Sequence, residues 1–334
     1  MPAEVLEAPR TTIEFEANPE ARFVAAVDQA TDHALQQIDH RYAQDQQSEA
    51  NNLNFHLRDH TEGVIDRAGR VMSAIQSLRP DLVSEHMVGQ AKLSAAFHDT
   101  IQKWDEVIKP NHTGPIKARQ RRMGDNERDS AFELLDYTKQ VNQENPTEPP
   151  FNEEDQVVCS SAIMGTVPEW DNQNHTMVQP NLAKTDSIVA HAVGLADINS
   201  SLMDGGDSLV RDSDKLFFED NLQAASDLLD PGKLNADKQA DYKQRILTFL
   251  ESQEAFARGR ENLLDKELGF LPAEVAAQLK TKLFNKGDEA VAVLKASLNA
   301  RRKLSLIQLV DEMRTNLARP ALDQRTPAEL QQVA

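Results

Sequence analysis

The sequence predicts an all-α protein. Helix-forming residues (Ala, Leu, Gln, Glu, Lys and Arg) are abundant, whereas aromatic residues make up only 5% and glycine only 13 of the 334 residues. Apolar residues recur three and four positions apart over long stretches, which is the period of an amphipathic helix. The apolar fraction of 40% is sufficient for a substantial core, and we find no internal repeat or low-complexity tract.

The first predicted helix follows an N-terminal arm. Residues 1–18 contain two prolines and no steady period, so we expect them to form an arm, either extended or folded back on the body of the protein. Pro19 and Glu20 then open a helix, because proline and an acidic residue suit a first turn. Its apolar stripe consists of Phe23, Val24, Val27, Ala30, Leu35 and Ile38.

Two further helices are predicted before residue 110. Asn54 can cap a helix that runs to Leu78 and is ended by Pro80. The next is predicted from about Glu85 to Ile108. The apolar positions of these two helices include Leu57, Val64, Ile65, Ala68, Val71, Met72, Ile75, Val88, Ala91 and Ala95.

The middle of the chain alternates loops and helices. The stretch at residues 111–127, "NHTGPIKARQRRMGDNE", is predicted as a loop with the densest positive charge in the chain. Helix is expected to resume at Asp125 or Asn126, and again at Asn152 behind a possible Phe151 staple. A second irregular stretch precedes a helix that Thr185 can cap, with its stripe at Ile188, Val189, Ala192, Val193 and Ala196.

After the glycines at 205 and 206 the remainder is predicted as helices broken at "DPGK", "GFLPAE" and "NKGDE". We therefore divide the chain into an arm at 1–18, a helical domain at 19–207, a C-terminal helical extension packed on it at 208–320 and a tail at 321–334. The extension carries alternating charges and apolar stripes that suit either a cap over the 19–207 domain or a homo-oligomer surface.

Composition limits the partners. A net charge of −18 argues against broad binding to nucleic-acid polymers or anionic membranes, since such binding relies on lysine and arginine. No membrane-spanning or targeting segment is evident, so a cytoplasmic protein is expected. The single cysteine, Cys159, precludes an internal disulfide framework and is expected to be a small buried residue.

Histidine and aspartate residues lie on the predicted buried faces. His60 is three residues after Leu57 and four before Val64, and the doublet His98-Asp99 continues the apolar stripe of the third helix. Asp197 lies four residues after Val193. Any one of these alone is more simply a satisfied core polar group, but a buried charge is costly unless it is paired or coordinated. Together they supply the nitrogen and oxygen ligands that suit Mn²⁺, Fe²⁺, Zn²⁺ or Mg²⁺.

The order of four residues along the chain resembles the H…HD…D pattern of the HD superfamily of metal-dependent phosphohydrolases. These residues are His60, the doublet His98-Asp99, and Asp197. His56, four residues before His60, also resembles the H-x-x-x-H opening of the branch that contains cyclic-nucleotide phosphodiesterases. The likeness covers roughly residues 30–207. No His-His pair follows the doublet, and Gln102-Lys103 replaces the acidic pair of ppGpp hydrolases, so one tightly held metal is expected and a second stays open.

The resemblance implies an HD-domain helical bundle that cleaves a phosphate mono- or diester, with a nucleotide as the favoured substrate. His60, His98, Asp99 and Asp197 would hold the divalent metal, whether Mn, Fe, Mg, Zn or Ni. Metal-bound hydroxide would attack phosphorus, with Asp99 or Asp197 orienting the water. His56 would protonate the leaving oxygen.

The phosphate of the substrate needs cations that an acidic protein otherwise lacks. The candidates are Lys103, Lys117, Arg119, Arg121 and Arg122, and an equally good interpretation of the basic run is a solvated loop.

Two other functions stay open. A di-iron oxygenase of the same superfamily would need further histidines, for which only His112, His175 and His191 are available; we expect the first two in loops and the third to be structural. A non-catalytic helical interaction module would keep the metal as a structural element.

Overall fold

The computed structural model describes residues 18–42, 53–110 and 115–317, and the all-α prediction is confirmed there, apart from two short hairpins. Nearly all of the predicted arm, the C-terminal tail and His112 lie outside the described residues. The helices are α1 (Pro19–Tyr42), α2 (Arg58–Leu78), α3 (Glu85–Phe97), α4 (Asp125–Glu144), α5 (Glu153–Gly165), α6 (Ile188–Ile198), α7 (Ser200–Met203), α8 (Gly206–Asp220), α9 (Leu222–Asp227), α10 (Ala236–Glu267), α11 (Ala273–Lys282), α12 (Gly287–Arg301) and α13 (Leu306–Leu317).

The hairpins correct two sequence predictions. β1 (Trp104–Lys109) pairs antiparallel with β2 (Ile116–Arg121), so the third helix ends at Phe97 rather than near Ile108, and the basic stretch is partly a strand. Both the hydroxyl and the amide of Thr100 bond to the Phe97 carbonyl, which closes the helix end. A shorter hairpin joins β3 (Glu169–Asp171) to β4 (Thr176–Val178), with the exposed His175 in its turn at φ 52°.

Helix starts agree with the sequence in part. Asn152 caps α5 by accepting from the Asp155 amide at 3.0 Å, as predicted, and Phe151 is buried. Asn54 does not cap α2, which begins at Arg58 after a bend. The cap of α6 is Ser187 and not Thr185.

Three apolar clusters fill the interior. One lies between α1, α3, α4 and α5, and a second joins α2, α3 and α6 to α11 and the end of α10. The third joins α8, α9, α12 and α13 to the earlier part of α10. The extension thus contributes to the core beneath α2 and α6, the two helices that carry His60 and Asp197.

Candidate metal centre

Four predicted ligands meet where three helices approach one another. His60 lies in the first turn of α2, and Asp197 lies in the last turn of α6. His98 and Asp99 directly follow the end of α3. His98 keeps helical backbone angles, φ −57° and ψ −31°. Neighbouring helical positions lie about 100° apart, so the doublet supplies two ligands only to a metal that lies over one edge of the helix end.

The distances between the four side chains suit metal coordination. Nε2 of His60 lies 3.4 Å from Asp99 Oδ2 and 3.4 Å from Asp197 Oδ1, and Nε2 of His98 lies 3.2 and 3.6 Å from the same oxygens. Ligands about 2.1 Å from one cation stand roughly 3.0 Å apart at an octahedral right angle and roughly 3.4 Å apart in a tetrahedron. His60, His98 and Asp99 form a group that could hold a metal ion, with ligand atoms within 4.8 Å of one another. Asp197 is not a member of that group, although its Oδ1 lies 3.4 Å from Nε2 of His60 and 3.6 Å from Nε2 of His98.

The two imidazole nitrogens at the centre have no hydrogen-bond partner. Nε2 of His60 and Nε2 of His98 are both buried and make no hydrogen bond with any described residue. Nδ1 of His98 lies 2.7 Å from the Ala95 carbonyl, which can only accept, so Nδ1 carries a proton and Nε2 is the nitrogen that faces the cluster. A bound cation would take the place of any proton on Nε2 and give this buried atom a partner.

In each aspartate, one carboxylate oxygen faces the two histidines and the other accepts a hydrogen bond from a glutamine side chain. Asp99 Oδ1 accepts from Gln102 Nε2 at 2.7 Å, while its Oδ2 faces the histidines. Asp197 Oδ2 accepts from Gln179 Nε2 at 3.0 Å, while its Oδ1 faces them. Outer hydrogen bonds of this kind orient the carboxylates of a metal site.

Burial and the attraction between histidines and carboxylates have opposite effects on the pKa values of the cluster. Burial lowers the pKa of His60 and of His98, but the carboxylates of Asp99 and Asp197 outweigh it, and both pKa values are raised. Burial likewise raises the pKa of the two aspartates, but the histidines hold each pKa well below its usual value. The carboxylates are therefore ionised at neutral pH and available to a cation.

His56 stands beside this centre. Its ring lies 5.6 Å from that of His60, between centroids, and its Nδ1 contacts the Glu219 carboxylate. The other oxygen of Glu219 accepts the amides of Asn54, Phe55 and His56 at 2.9, 2.7 and 3.2 Å, which fixes the bend before α2. Nε2 of His56 accepts from Arg121 Nη1 at 2.6 Å.

These contacts define the protonation state of His56. Burial lowers its pKa and Arg121 lowers it further, against the opposing effect of Glu219. Burial raises the pKa of Glu219, but His56 and the backbone amides hold it far below its usual value. The imidazole is therefore neutral, with its proton on Nδ1.

Of the five residues predicted to bind a phosphate, three are exposed and two, Arg119 and Arg121, are not. Arg121 lies near the centre, 3.4 Å from Asp99 Oδ1 and 3.9 Å from Glu127. Arg119 is buried with its guanidinium 4.3 Å from the Trp104 ring centroid. The other three are exposed and paired elsewhere: Lys103 with Asp129, Lys117 with Glu106 and Arg122 with Asp105.

The remaining described histidines are not brought to the centre. His175 is exposed in the β3–β4 turn, and His191 bonds the Thr185 carbonyl at 3.0 Å and stacks on Phe270. Sequence reasoning missed Glu219, Gln179 and the role of Gln102. Glu219 lies 163 positions after His56 and beyond the proposed boundary at 207, and no local pattern marks it.

No protein-family model, curated protein or solved structure matches the chain. In the part of the chain that the structure describes, no helix has both the length and the apolar character needed to cross a membrane.

Proposed function

We propose that this protein is a metal-dependent phosphohydrolase of the HD type, which cleaves a phosphate mono- or diester. The observation that carries the proposal is the convergence of His60, His98, Asp99 and Asp197 around two buried imidazole nitrogens without partners. The order of these residues along the chain is the one that resembles the superfamily. A nucleotide is the substrate class that we favour.

The four side chains would hold one divalent cation, with Gln102 and Gln179 orienting the two carboxylates. When bound, the cation would polarise a phosphoryl oxygen and make water a better nucleophile near neutral pH. The mixture of two nitrogens and two oxygens suits Mn²⁺, Fe²⁺, Zn²⁺ and Ni²⁺, and Mg²⁺ less well.

Arg121 is the phosphate-binding residue of this proposal. It is the one candidate cation that contacts both a proposed metal ligand and His56. A guanidinium matches the oxygens of a phosphate, and its fixed charge survives burial. Lys103, Lys117 and Arg122 each have a carboxylate partner at the surface, so their contribution would be smaller.

His56 would act as the general acid. In the absence of substrate its Nε2 is occupied by the Arg121 donor. A phosphate that binds Arg121 competes for that donor, so Nε2 becomes free to take up a proton and pass it to the leaving oxygen. Glu219, bonded to Nδ1, would stabilise the imidazolium and keep the ring in position.

The test combines metal content with turnover. The purified protein is analysed for metals and assayed with p-nitrophenyl phosphate, bis-p-nitrophenyl phosphate and a nucleotide panel, with Mn²⁺, Mg²⁺ or Ni²⁺ added separately. We expect about one metal per chain and metal-dependent hydrolysis, both lost in His98→Ala. His191→Ala is the matched control, because it removes a buried imidazole outside the cluster and should keep both.

Other outcomes separate the alternatives. Metal without hydrolysis of any ester would favour a structural metal in an interaction module. Two irons per chain with visible absorption would favour the di-iron oxygenase. A protein that binds no metal after reconstitution would contradict the site itself.

A further inference from the structure

Asp197 is the outlying member of the four proposed metal ligands. The other three form a compact group, which Asp197 approaches through Oδ1, 3.4 Å from His60 Nε2 and 3.6 Å from His98 Nε2. Its Oδ2 accepts a hydrogen bond from Gln179 Nε2 at 3.0 Å. Because the two oxygens of a carboxylate turn together, a donor to Oδ2 also fixes the direction in which Oδ1 points.

Gln179 leaves its own carbonyl oxygen without a partner when it binds Asp197. The NH₂ group must face Asp197, since a carboxylate oxygen only accepts. Gln179 Oε1 is then buried and makes no hydrogen bond with any described residue. A buried acceptor without a partner disfavours folding, so the contact with Asp197, rather than a gain in stability, accounts for the glutamine at this position.

Gly194 leaves the space in which the Gln179 side chain lies. It is inside α6, three residues before Asp197, and therefore on the same side of the helix. A Cβ at this position would stand 2.5 Å from Gln179 Oε1 and 2.6 Å from Leu182 Cδ1, both closer than real Cβ contacts. Its φ is not positive, and glycine is less favourable than alanine inside a helix, so the lack of space and not the backbone accounts for the glycine.

We propose that Gly194 is a positioning residue of the candidate metal centre and acts on Asp197 through Gln179. A methyl group at position 194 would displace the Gln179 amide, and Asp197 Oδ2 would lose the donor that orients the carboxylate. Loss of such an outer hydrogen bond typically weakens metal binding by about 10–100-fold. The inference rests on the metal site of the proposed function, but not on hydrolysis at that site.

Mn²⁺ binding to the full-length protein, measured by competition with a fluorescent chelator, tests this role. Gly194→Ala should raise the Kd for Mn²⁺ by about 10–100-fold. Gly165→Ala is the matched control, because its Cβ would stand 2.9 Å from the other methyl group of Leu182 and has Leu182 and Ala190 as its nearest neighbours. It should leave Kd unchanged. Equal Kd values in the two glycine variants would overturn the role of Gly194.

A second substitution separates positioning from packing. Gln179→Ala removes the donor, so it should weaken Mn²⁺ binding about as much as Gly194→Ala, and the double variant should show no further loss. A further loss would mean that Gly194 acts by another route and would overturn the proposal. If Gly194→Ala alone did not fold, recovery of folding in the double variant would locate the clash at Gln179, and no recovery would contradict it.

A readout on the metal-free protein distinguishes this inference from the proposed function. The side-chain amide resonances of Gln179 are assigned by their absence from the proton–nitrogen NMR spectrum of Gln179→Ala. Asp197→Asn and Gly194→Ala should both shift these resonances, whereas Gly165→Ala should not. A protein that binds no Mn²⁺ would contradict the proposed metal site, whereas unshifted Gln179 resonances in Gly194→Ala would overturn the role of Gly194.

Discussion

His56 is held between a carboxylate and a guanidinium, and this position decides what its substitution should do. We expect His56→Asn to retain its metal and to lose about 10²–10⁴-fold in kcat, the usual value of a general acid. Asparagine keeps a donor toward Glu219 but cannot carry the proton to the leaving group. The measurement is kcat for substrates with poor and good leaving groups, beside metal content and a melting curve.

The loss should shrink for p-nitrophenyl esters, because p-nitrophenolate leaves without protonation. An equal loss for all leaving groups would remove His56 from the role of acid. A large fall in metal content would instead make His56 a ligand, and a lowered melting temperature alone would make it a core residue.

Arg121 and Arg122 are sequence neighbours with different environments. Arg121→Ala should raise KM for a phosphorylated substrate about 10-fold or more, since hydrogen bonds to charged groups contribute about 1.5–3 kcal/mol. Arg122→Ala should leave KM unchanged, because Arg122 is exposed and paired with Asp105. Steady-state kinetics of the two variants, with metal analysis, test this directly. If Arg121→Ala and Arg122→Ala changed KM equally, the basic stretch would be better interpreted as a solvated loop that contributes to solubility.

At the scale of an element, the end of α8 carries an unfavourable charge. Burial raises the pKa of Asp220 from 3.8 to about 6, and repulsion by Glu219 adds to it. Asp220 is also the last residue of the helix, where the macrodipole disfavours an anion. The unfolded chain releases this proton near pH 4 and the folded chain only near pH 6, so the free energy of unfolding falls as pH rises through that window.

Asp220→Asn should therefore stabilise the protein at pH 7 by about 3 kcal/mol and have little effect near pH 4. Denaturant unfolding at the two pH values measures the difference. Asp207→Asn is the control, an exposed aspartate in the first turn of the same helix, where a negative charge is favourable. A pH-independent effect of Asp220→Asn would show that ionisation is not the cause.

The helices α8, α12 and α13 are joined by a buried ion pair. Arg301 donates from both terminal nitrogens to Asp214 at 2.7 Å, and Asn316 donates to the same carboxylate at 2.8 Å. Removing one partner leaves an uncompensated buried charge, so Asp214→Leu or Arg301→Met should each cost about 3–5 kcal/mol. The double variant should recover most of that loss, because both charges are gone.

Chemical denaturation of the two single variants and the double variant measures the coupling. The exposed pair Arg302–Glu251, which joins the residue after α12 to α10, provides a comparison, and its removal should cost about 1 kcal/mol or less. Additive losses in the buried cycle would contradict the account of Asp214 and Arg301 as a coupled pair.

For the molecule as a whole, metal binding at the candidate centre should be linked to global stability. Its ligands come from α2, α6 and the end of α3, and a cation that binds only the folded chain stabilises it by about 2.7 kcal/mol at one hundred times Kd. We expect EDTA to lower the melting temperature at pH 7.5 and Mn²⁺ to restore it. The rise in melting temperature that Mn²⁺ produces should be smaller at pH 5.5. Protons then compete with the metal for His60 and His98, whose pKa values are raised by Asp99 and Asp197.

Differential scanning calorimetry with and without Mn²⁺ measures this increment. His98→Ala should show none at either pH, whereas His191→Ala should behave like the unchanged protein. The same increment in His98→Ala would place the metal at another site.

The helical class and most of the core could be predicted from the amino-acid sequence, because both depend on the spacing of residues within one segment. Val64, Ala68, Val71 and Ile75 recur on one face of α2 and are all fully buried. The likeness to a known order of ligands singled out His60, His98, Asp99 and Asp197 although they are far apart in the chain. Helix periodicity failed at residues 104–109, where a hairpin partner at 116–121 supplies hydrogen bonds that no local pattern announces.

The polar residues that support the candidate site, and the cations that face it, could not be identified before the packing of distant elements was known. Glu219 reaches His56 from α8, and Gln179 reaches Asp197 across the space left by Gly194. Arg121, the last residue of β2, is turned toward Asp99, whereas Arg122, the first residue after the strand, pairs with Asp105. Such contacts depend on how distant elements pack together, and the composition and spacing of a single segment carry no information about that packing.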